Sequence, residues 1–405
     1  MSSVLPSATR VVSGMRATGR LHLGHYHGVL RNWVRLQNEY DCFFFVADWH
    51  ALTTHYEDPG IIAESVRDMV IDWLAAGVDC QNATLFVQSD VPQHAELHLL
   101  LSMITPLGWL ERVPTFKDQQ EKLRERDLAT YGFLGYPLLQ SADILAYRAA
   151  FVPVGEDQVA HIELCREVAR RFNYLYGREA GFLEKVEEAL RIMGRKAAKA
   201  YKDLREAYLE RGEKEALETA RALVERQANM TLGDKERLFG YLEGHGRLIL
   251  TEPQALLTPQ SRMPGLDGQK MSKSYGNIIG LREDPDVVAK KIKTMPTDPA
   301  RKRRTDAGNP DLCPVWPFHE IYSPEDVKAW VRNGCTTASI GCLQCKQPVI
   351  DAVNAELAPI RERAHELERD SARIRTILAE GARRAREAAE ETLEDVRRAM
   401  GLAWE

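Results

Sequence analysis

The chain has 405 residues, 44% hydrophobic, 28% charged and 8% aromatic, a balance that builds packed domains and excludes disordered, collagen-like and coiled-coil organisation. At a typical ~150 residues per domain, that length holds two to three domains. Lys and Arg number 54 against 59 Asp and Glu, a net charge of −5, so no uniformly basic surface exists and any contact with phosphate must come from a local patch.

Arg10 to Met15 is a β-rich run entering a Gly-punctuated turn, and Gly24 to Gln37 then sets Val29, Leu30, Trp33 and Leu36 at a helical period. Cys42 to Asp48 reads as a second, buried strand, Ile61 to Ala76 as a helix and Thr84 to Gln88 as a third strand. Ala150 to Val154 is strand-like and Asp157 to Phe172 helical. Strands alternating with helices predict an α/β fold over residues 1–180, with a doubly wound, Rossmann-like parallel sheet. From Phe182 the texture turns charged and alanine-rich, with Leu190, Met193, Ala197, Tyr201, Leu204 and Tyr208 spaced by three or four. A turn at Arg211-Gly212 and a second amphipathic run through Val224 make 181–246 an expected inserted helical hairpin. Pro- and Gly-punctuated Thr251 to Gly268 brings the chain back to the main body over 247–282. Beyond about Glu283 strand patterns vanish, and positions such as Ile360, Ala364, Leu367 and Ile374 predict a C-terminal all-helical domain over 283–405. The longest apolar run near the front, Cys42 to Ala47, is too short for a membrane span, and Met1 to Arg20 lacks the apolar centre of a signal peptide. A cytoplasmic protein with no membrane partner is expected.

Two motifs carry chemistry. Thr18-Gly19-Arg20-Leu21-His22-Leu23-Gly24-His25 lies between the first strand and its helix, where helix N-terminal amides and two imidazoles could converge on phosphate oxygens, with Gly24 admitting a nucleotide close to the backbone. Lys270-Met271-Ser272-Lys273-Ser274 puts two ammonium groups and two hydroxyls on a loop after Gly265 and Gly268, suited to closing over a triphosphate and neutralising a leaving pyrophosphate. Taken alone, each also reads as an ordinary polar turn.

Together and in this order they resemble the two signatures of class I aminoacyl-tRNA synthetases. Within that class the intervening segments resemble the bacterial tryptophanyl-tRNA synthetases: Val11 to Gly14, Ala47 to Thr53, Tyr136-Pro137 to Tyr147, and Val152-Pro153-Val154-Gly155-Glu156-Asp157-Gln158. The resemblance implies that tryptophan is activated by ATP with Mg²⁺ and passed to tRNA(Trp) by a homodimer. It assigns catalysis to His22, His25, Lys270 and Lys273. It assigns ATP binding to Arg16, Ala17, Thr18, Gly24, His25, Gly155, Glu156 and Asp157, together with Lys270, Met271, Ser272, Lys273 and Ser274. Tryptophan falls to Asp143, Tyr136, Gln140, Gln158 and Arg16. Many relatives carry Gln where Arg16 stands and Met where Gln140 stands. The indole N–H is a donor only, so its pocket needs an acceptor among apolar walls, and Asp143 in Ser141-Ala142-Asp143-Ile144-Leu145 supplies a carboxylate there. A tyrosyl enzyme and a non-catalytic RNA-binding relative are the competing readings; the Val-Pro-Val-Gly-Glu-Asp-Gln segment opposes the first, and the intact His and Lys pairs the second.

Seven unevenly placed cysteines do not suit a disulfide framework. Four of them, Cys313, Cys335, Cys342 and Cys345, have the spacing C-x21-C-x6-C-x2-C, a four-thiolate signature open to Zn²⁺ or a [4Fe–4S] cluster. The resemblance favours the cluster, because a subset of bacterial tryptophanyl-tRNA synthetases carries a similar motif in the anticodon-binding domain. Lys290, Lys291, Lys293, Arg301, Lys302, Arg303 and Arg304 form a basic stretch, the first candidate for tRNA phosphate contact in an acidic chain.

Overall fold

A computed structural model describes residues 9–113, 130–177, 179, 181–244, 246–257 and 263–404. In chain order the elements are β1 (Arg10–Arg16), α1 (Arg31–Leu36), β2 (Asp41–Ala47), α2 (Asp48–His55), α3 (Gly60–Ala76), β3 (Ala83–Val87), α4 (Gln93–Ser102), α5 (Leu107–Glu111) and α6 (Tyr131–Leu145). There follow β4 (Phe151–Val154), α7 (Val159–Tyr176), α8 (Phe182–Met193), α9 (Arg195–Arg211), α10 (Lys214–Glu225), α11 (Leu232–Leu242) and β5 (Gln254–Leu257). The last third holds α12 (Pro285–Thr294), α13 (Trp316–Tyr322), α14 (Glu325–Thr336), α15 (Cys342–Arg369) and α16 (Ser371–Ala399).

Among the described residues the sheet has five strands in the order β3-β2-β1-β4-β5. β2 and β3 pair in parallel from Cys42 opposite Ala83 to Val46 opposite Val87, and β1 pairs in parallel with β4 through Val11 and Phe151. The apolar stretches of β2 and β3 are what a parallel sheet covered on both faces requires, and every residue of β3 is buried. The fold class is the expected α/β one, with helices following the sheet. β5 is the strand that the pattern does not reveal: four half-exposed residues without alternation, in a Pro- and Gly-punctuated stretch.

The chain divides into two compact units. One comprises Met1–Ser13, Val91–Leu256 and Arg383–Glu405. In it α6 packs on α7 and α4, and α6 opens on Thr130, whose hydroxyl accepts the Phe133 N–H at 3.2 Å. Where the periodicity reads two amphipathic runs, four helices stand. Gly194 at φ +86° ends α8 and Gly212 at φ +70° ends α9, the left-handed backbone that glycine adopts at low cost. α8 to α11 enclose a core of their own built on Val186, Leu190, Tyr201, Val224, Leu238 and Leu242. Arg148 reaches Glu236 on α11 at 2.9 Å and Asp395 on α16 at 2.5 Å, and Arg247 meets the same two carboxylates at 2.7 and 2.9 Å. Four charges so enclosed stabilise only as a complete set, since removing one strands the others.

The other unit comprises Gly14–Asp90 and Leu257–Ala382. α3 packs along α15, and α12 against α15. α12 begins with Asp284, whose carboxylate accepts the Asp286 N–H, and with Pro285 in its first turn. Gly381 lies so close to β3 that a Cβ there would stand 1.7 Å from the Leu85 carbonyl oxygen. Gly381→Ala is therefore expected to lower stability by about 1–3 kcal/mol or more, read as a fall in the thermal unfolding midpoint; an unchanged midpoint would contradict this close approach.

Candidate functional site

The turn after β1 is built by its histidines. His22 precedes a short turn, Leu23–His25, and its Nδ1 accepts the Gly24 N–H at 3.1 Å, while the His22 N–H donates to His25 Nδ1 at 3.3 Å. The ring centroids are 3.8 Å apart. A Cβ on residue 24 would sit 2.9 Å from the His22 ring, so glycine is required. Burial, reinforced by the nearby Lys273 ammonium, lowers His22 to about 4; burial, His22, Lys273 and Lys270 push His25 well below the usual imidazole range. Both rings are neutral at pH 7. Because each Nδ1 accepts, each Nε2 carries the proton, and the pair offers two neutral N–H donors.

The second motif is shaped by Asn277, which is buried. Its Oδ1 accepts the Ser272 N–H at 2.8 Å, and its Nδ2 donates to Asp267 at 2.7 Å and to the Lys270 carbonyl at 3.1 Å. Met271 turns inward, whereas Lys270 and Ser274 are exposed. Lys273 Nζ donates to the Thr18 carbonyl at 2.7 Å, and burial lowers its ammonium pKa against the opposing pull of Asp72. Two backbone hydrogen bonds, Leu23 N–H to the Ile279 carbonyl at 3.0 Å and Leu281 N–H to the Leu21 carbonyl at 3.1 Å, clamp the two motifs side by side. Arg282 continues the clamp: it pairs with Asp68 and Asp72 at 2.8 Å and with Glu368 on α15 at 2.5 Å. Asp72 also accepts the Leu21 N–H at 2.8 Å, and burial pushes its carboxyl up to about 6 against the pull of Arg282. His22, His25, Gly24, Thr18, Met271, Ser272 and Lys273 thus gather in one unit. Ala17 is buried, and the Arg16 guanidinium donates to the Thr54 hydroxyl on α2.

A separate set lies in the unit containing α6. Tyr136, Gln140 and Asp143 share a face of α6 at helical spacing. Tyr136 sits between Phe133 and His161, with ring centroids 5.8 and 5.6 Å away, and Gln140 is half-buried. Asp143 is 1% exposed, and its Oδ1 stands 2.6 Å from Nδ1 of the fully buried His94 on α4, whose Nε2 is 2.5 Å from the Tyr147 hydroxyl. Gly155 precedes a short 3₁₀ turn, Glu156–Gln158, that leads into α7; Glu156 is exposed and Gln158 half-buried, and the Asp157 side chain lies outside the described residues. Sequence reasoning missed His94, Tyr147, Asn277, Asp72 and Arg282. His94, Leu97 and Leu101 follow the i, i+3, i+7 pattern of a buried face, a weak signal that a histidine had been enclosed.

The four C-terminal cysteines occupy one neighbourhood. Cys313 ends a short turn, Cys335 lies in the last turn of α14, and Cys342 and Cys345 form the first turn of α15. Burial and the three other thiols push Cys345 up to about 12, and its Sγ is 3.4 Å from His319 Nε2. Arg301 Nη1 lies 3.7 Å from Cys335 Sγ. Among the described residues, however, no three His, Cys, Asp or Glu side chains are gathered as a metal site. The basic stretch is only partly a surface. Lys290, Lys293, Lys302, Arg303 and Arg304 are exposed, but Lys291 donates to the Ile278 carbonyl and Glu283, and buried Arg301 donates to the Ile340 carbonyl at 2.6 Å. Among the described residues no helix is long and apolar enough to cross a membrane.

Residues 6–199 and 213–358 match the family of class I tRNA synthetases (W and Y). The chain is 66% identical over 395 residues to the tryptophan-tRNA ligase of Ralstonia nicotianae, covering 98% of this chain and 99% of that one. It is 44% identical to the tryptophan-tRNA ligase of Thermotoga maritima over 98% of this chain and all of the other. The crystal structure of tryptophanyl-tRNA synthetase from Campylobacter jejuni, complexed with ADP and tryptophan, superimposes with a TM-score of 0.72 at 26% identity, covering 97% of this chain and 100% of that one.

The neutral histidines make a direct prediction. His22 should titrate near pH 4 by NMR in the ligand-free protein. Its value is depressed on folding, so its contribution to stability is complete above about 6.5 and is lost as the pH falls toward 4. A midpoint near 6.5 would show the ring to be solvated.

Proposed function

The chain belongs to the class I tRNA synthetases for tryptophan and tyrosine, it acts as a tryptophan-tRNA ligase, and we propose the roles its residues take in that activity. The tryptophan carboxylate attacks the α-phosphorus of ATP, the bond to the β-phosphate oxygen breaks, and pyrophosphate leaves behind tryptophanyl-adenylate. A hydroxyl of the 3′-terminal ribose of tRNA(Trp) then attacks the activated carbonyl, and AMP departs. Neither step requires a protein nucleophile, so the enzyme's work is positioning and charge neutralisation.

His22 and His25 donate their Nε2–H groups to phosphate oxygens, and being neutral they do so without binding the nucleotide as a fixed cationic clamp would. Lys270 and Lys273 neutralise the charge that develops on the leaving pyrophosphate, with Mg²⁺ on the phosphates. Ala17, Thr18, Gly24, Met271, Ser272 and Ser274 line the nucleotide, with Gly155, Glu156 and Asp157 completing that group. Asp143 accepts the indole N–H, Tyr136 and Gln140 flank the ring, and Gln158 and Arg16 hold the polar end of the amino acid. The observation that carries this reading is the Lys273 ammonium drawn onto the Thr18 carbonyl beside the two neutral imidazoles. The protein is proposed to work in the cytoplasm as a homodimer.

Cys313, Cys335, Cys342 and Cys345 are proposed to hold a [4Fe–4S] cluster, with Zn²⁺ as the alternative. The donor chemistry supports such a group. A thiol held protonated up to about 12 by burial and by three other thiols loses its proton readily only to a bound cation, and Arg301 and Lys346 stand by to offset excess thiolate charge. When bound, the cluster would supply a four-point tether between α14, α15 and the turn ending at Cys313.

Two measurements follow. Lys270→Ala and Lys273→Ala should each slow tryptophan-dependent ATP–pyrophosphate exchange by about 10²-fold or more while changing tryptophan affinity little, because the charge they meet appears in the transition state; exchange at the parent rate would remove these lysines from the chemistry. Protein purified without oxygen should be brown and contain about four irons and four sulfides per chain, whereas zinc with no sulfide would replace the cluster by a four-thiolate zinc site.

A further inference from the structure

We propose that His94 is a positioning residue for tryptophan selection, holding the Asp143 carboxylate in the orientation and ionisation state that an indole N–H requires. The proposal rests on the reading of Asp143 as the indole acceptor. His94 comes from α4 and is fully enclosed. Its Nδ1 meets Asp143 Oδ1 at 2.6 Å and its Nε2 meets the Tyr147 hydroxyl at 2.5 Å, the two partners lying one helical turn apart in sequence. The imidazole and phenol rings stand edge to face, with centroids 5.4 Å apart.

The donor directions follow from Tyr147 and Asp143. Complete burial and the nearby Asp143 charge hold its hydroxyl proton well above the ordinary phenol range, so at any working pH it is an O–H. The ionised carboxylate can only accept, so the imidazole proton sits on Nδ1, aimed at it, and Nε2 takes the Tyr147 O–H. The resulting contact is a short, charge-assisted hydrogen bond, and it favours the ionised carboxylate where the apolar surroundings favour the acid. It also sets the plane of the carboxylate. A carboxylate offers about four lone-pair sites, so the bond to His94 is compatible with an indole N–H as a further donor. Leu97, Leu100 and Leu101 on the same helix are buried with His94, which makes the imidazole the polar member of that face.

The consequence is selective: His94 should matter only for a ligand whose ring carries an N–H. The test measures, by calorimetry on the full-length protein, the affinities of tryptophan and of 3-benzothienylalanine, in which sulfur replaces the ring N–H. The parent should prefer tryptophan. His94→Ala should cut that preference by about 10- to 100-fold, the loss of one hydrogen bond to a charged group, and His94→Asn, whose amide can take over the Nδ1–H contact, should restore most of it. Asp143→Ala should abolish the same preference. Equal weakening of both ligands by His94→Ala, with selective loss retained in Asp143→Ala, would overturn the role of His94 alone. Equal weakening in Asp143→Ala would overturn the reading of Asp143, and the present inference with it. Tyr147→Phe releases the tautomer and should lower the preference more mildly; an unchanged preference there overturns the chain of donors even if His94→Ala fails to fold.

Discussion

The arrangement of the turn after β1 beside the Lys270–Ser274 loop depends on a backbone clamp: the exchange of hydrogen bonds between Leu21 and Leu281 and between Leu23 and Ile279. Two motifs about 250 residues apart in the chain meet only because these segments run antiparallel for two rungs, with His22 opposite Gly280. A clamp so short would slip unless its end were fixed. Arg282 fixes it, with Asp68 and Asp72 on α3 and Glu368 on α15 around one guanidinium. Asp72 then reaches back to the Leu21 N–H and closes the circuit. Within this set Arg282 and Asp72 are the buried pair, the one that cannot lose a member cheaply, and the set carries the position of α15 directly to the residue before His22.

Desolvation does the electrostatic tuning. Buried His22 and half-buried His25 lose their charge, and the Lys273 ammonium beside them makes protonation harder still. The site therefore holds its positive charge on two lysines at the end of a loop and its directed donors on two uncharged rings. Lys270 is exposed while Lys273 is half-buried and tied to Thr18, so the two ammonium groups differ in how much solvent still surrounds them.

The α4 and α6 pair follows the opposite strategy, with a carboxylate buried inside an apolar helix pair and made tolerable by a histidine and a tyrosine in series. The C-terminal thiols are a third case. Burial first, and neighbouring thiols after it, push Cys335 and Cys345 up, so any cation taking these thiolates would have to displace their protons.

The sequence by itself determined the alternation of strands and helices, the two motifs and the four-cysteine spacing, because each is written in residues close together in the chain. It also marked Asp143, since a carboxylate in an apolar helical run is conspicuous. Tertiary structure alone decided the rest. β5 is too short and exposed to leave a period, and the predicted hairpin resolves into four helices because Gly194 splits the first periodic run and Leu232–Leu242 adds a helix after the second. Of the seven basic residues after the second motif, Lys291 and Arg301 are drawn inward to carbonyls that lie 13 and 39 residues away. His94, Asp72 and Arg282 have no motif at all: each is meaningful only through a partner brought near by folding, 49 residues away for His94 and more than 200 for Arg282 and Asp72. A local pattern records what a residue does to its own helix or turn, whereas a buried polar group is defined by the partner that satisfies it, and that partner is chosen by the fold.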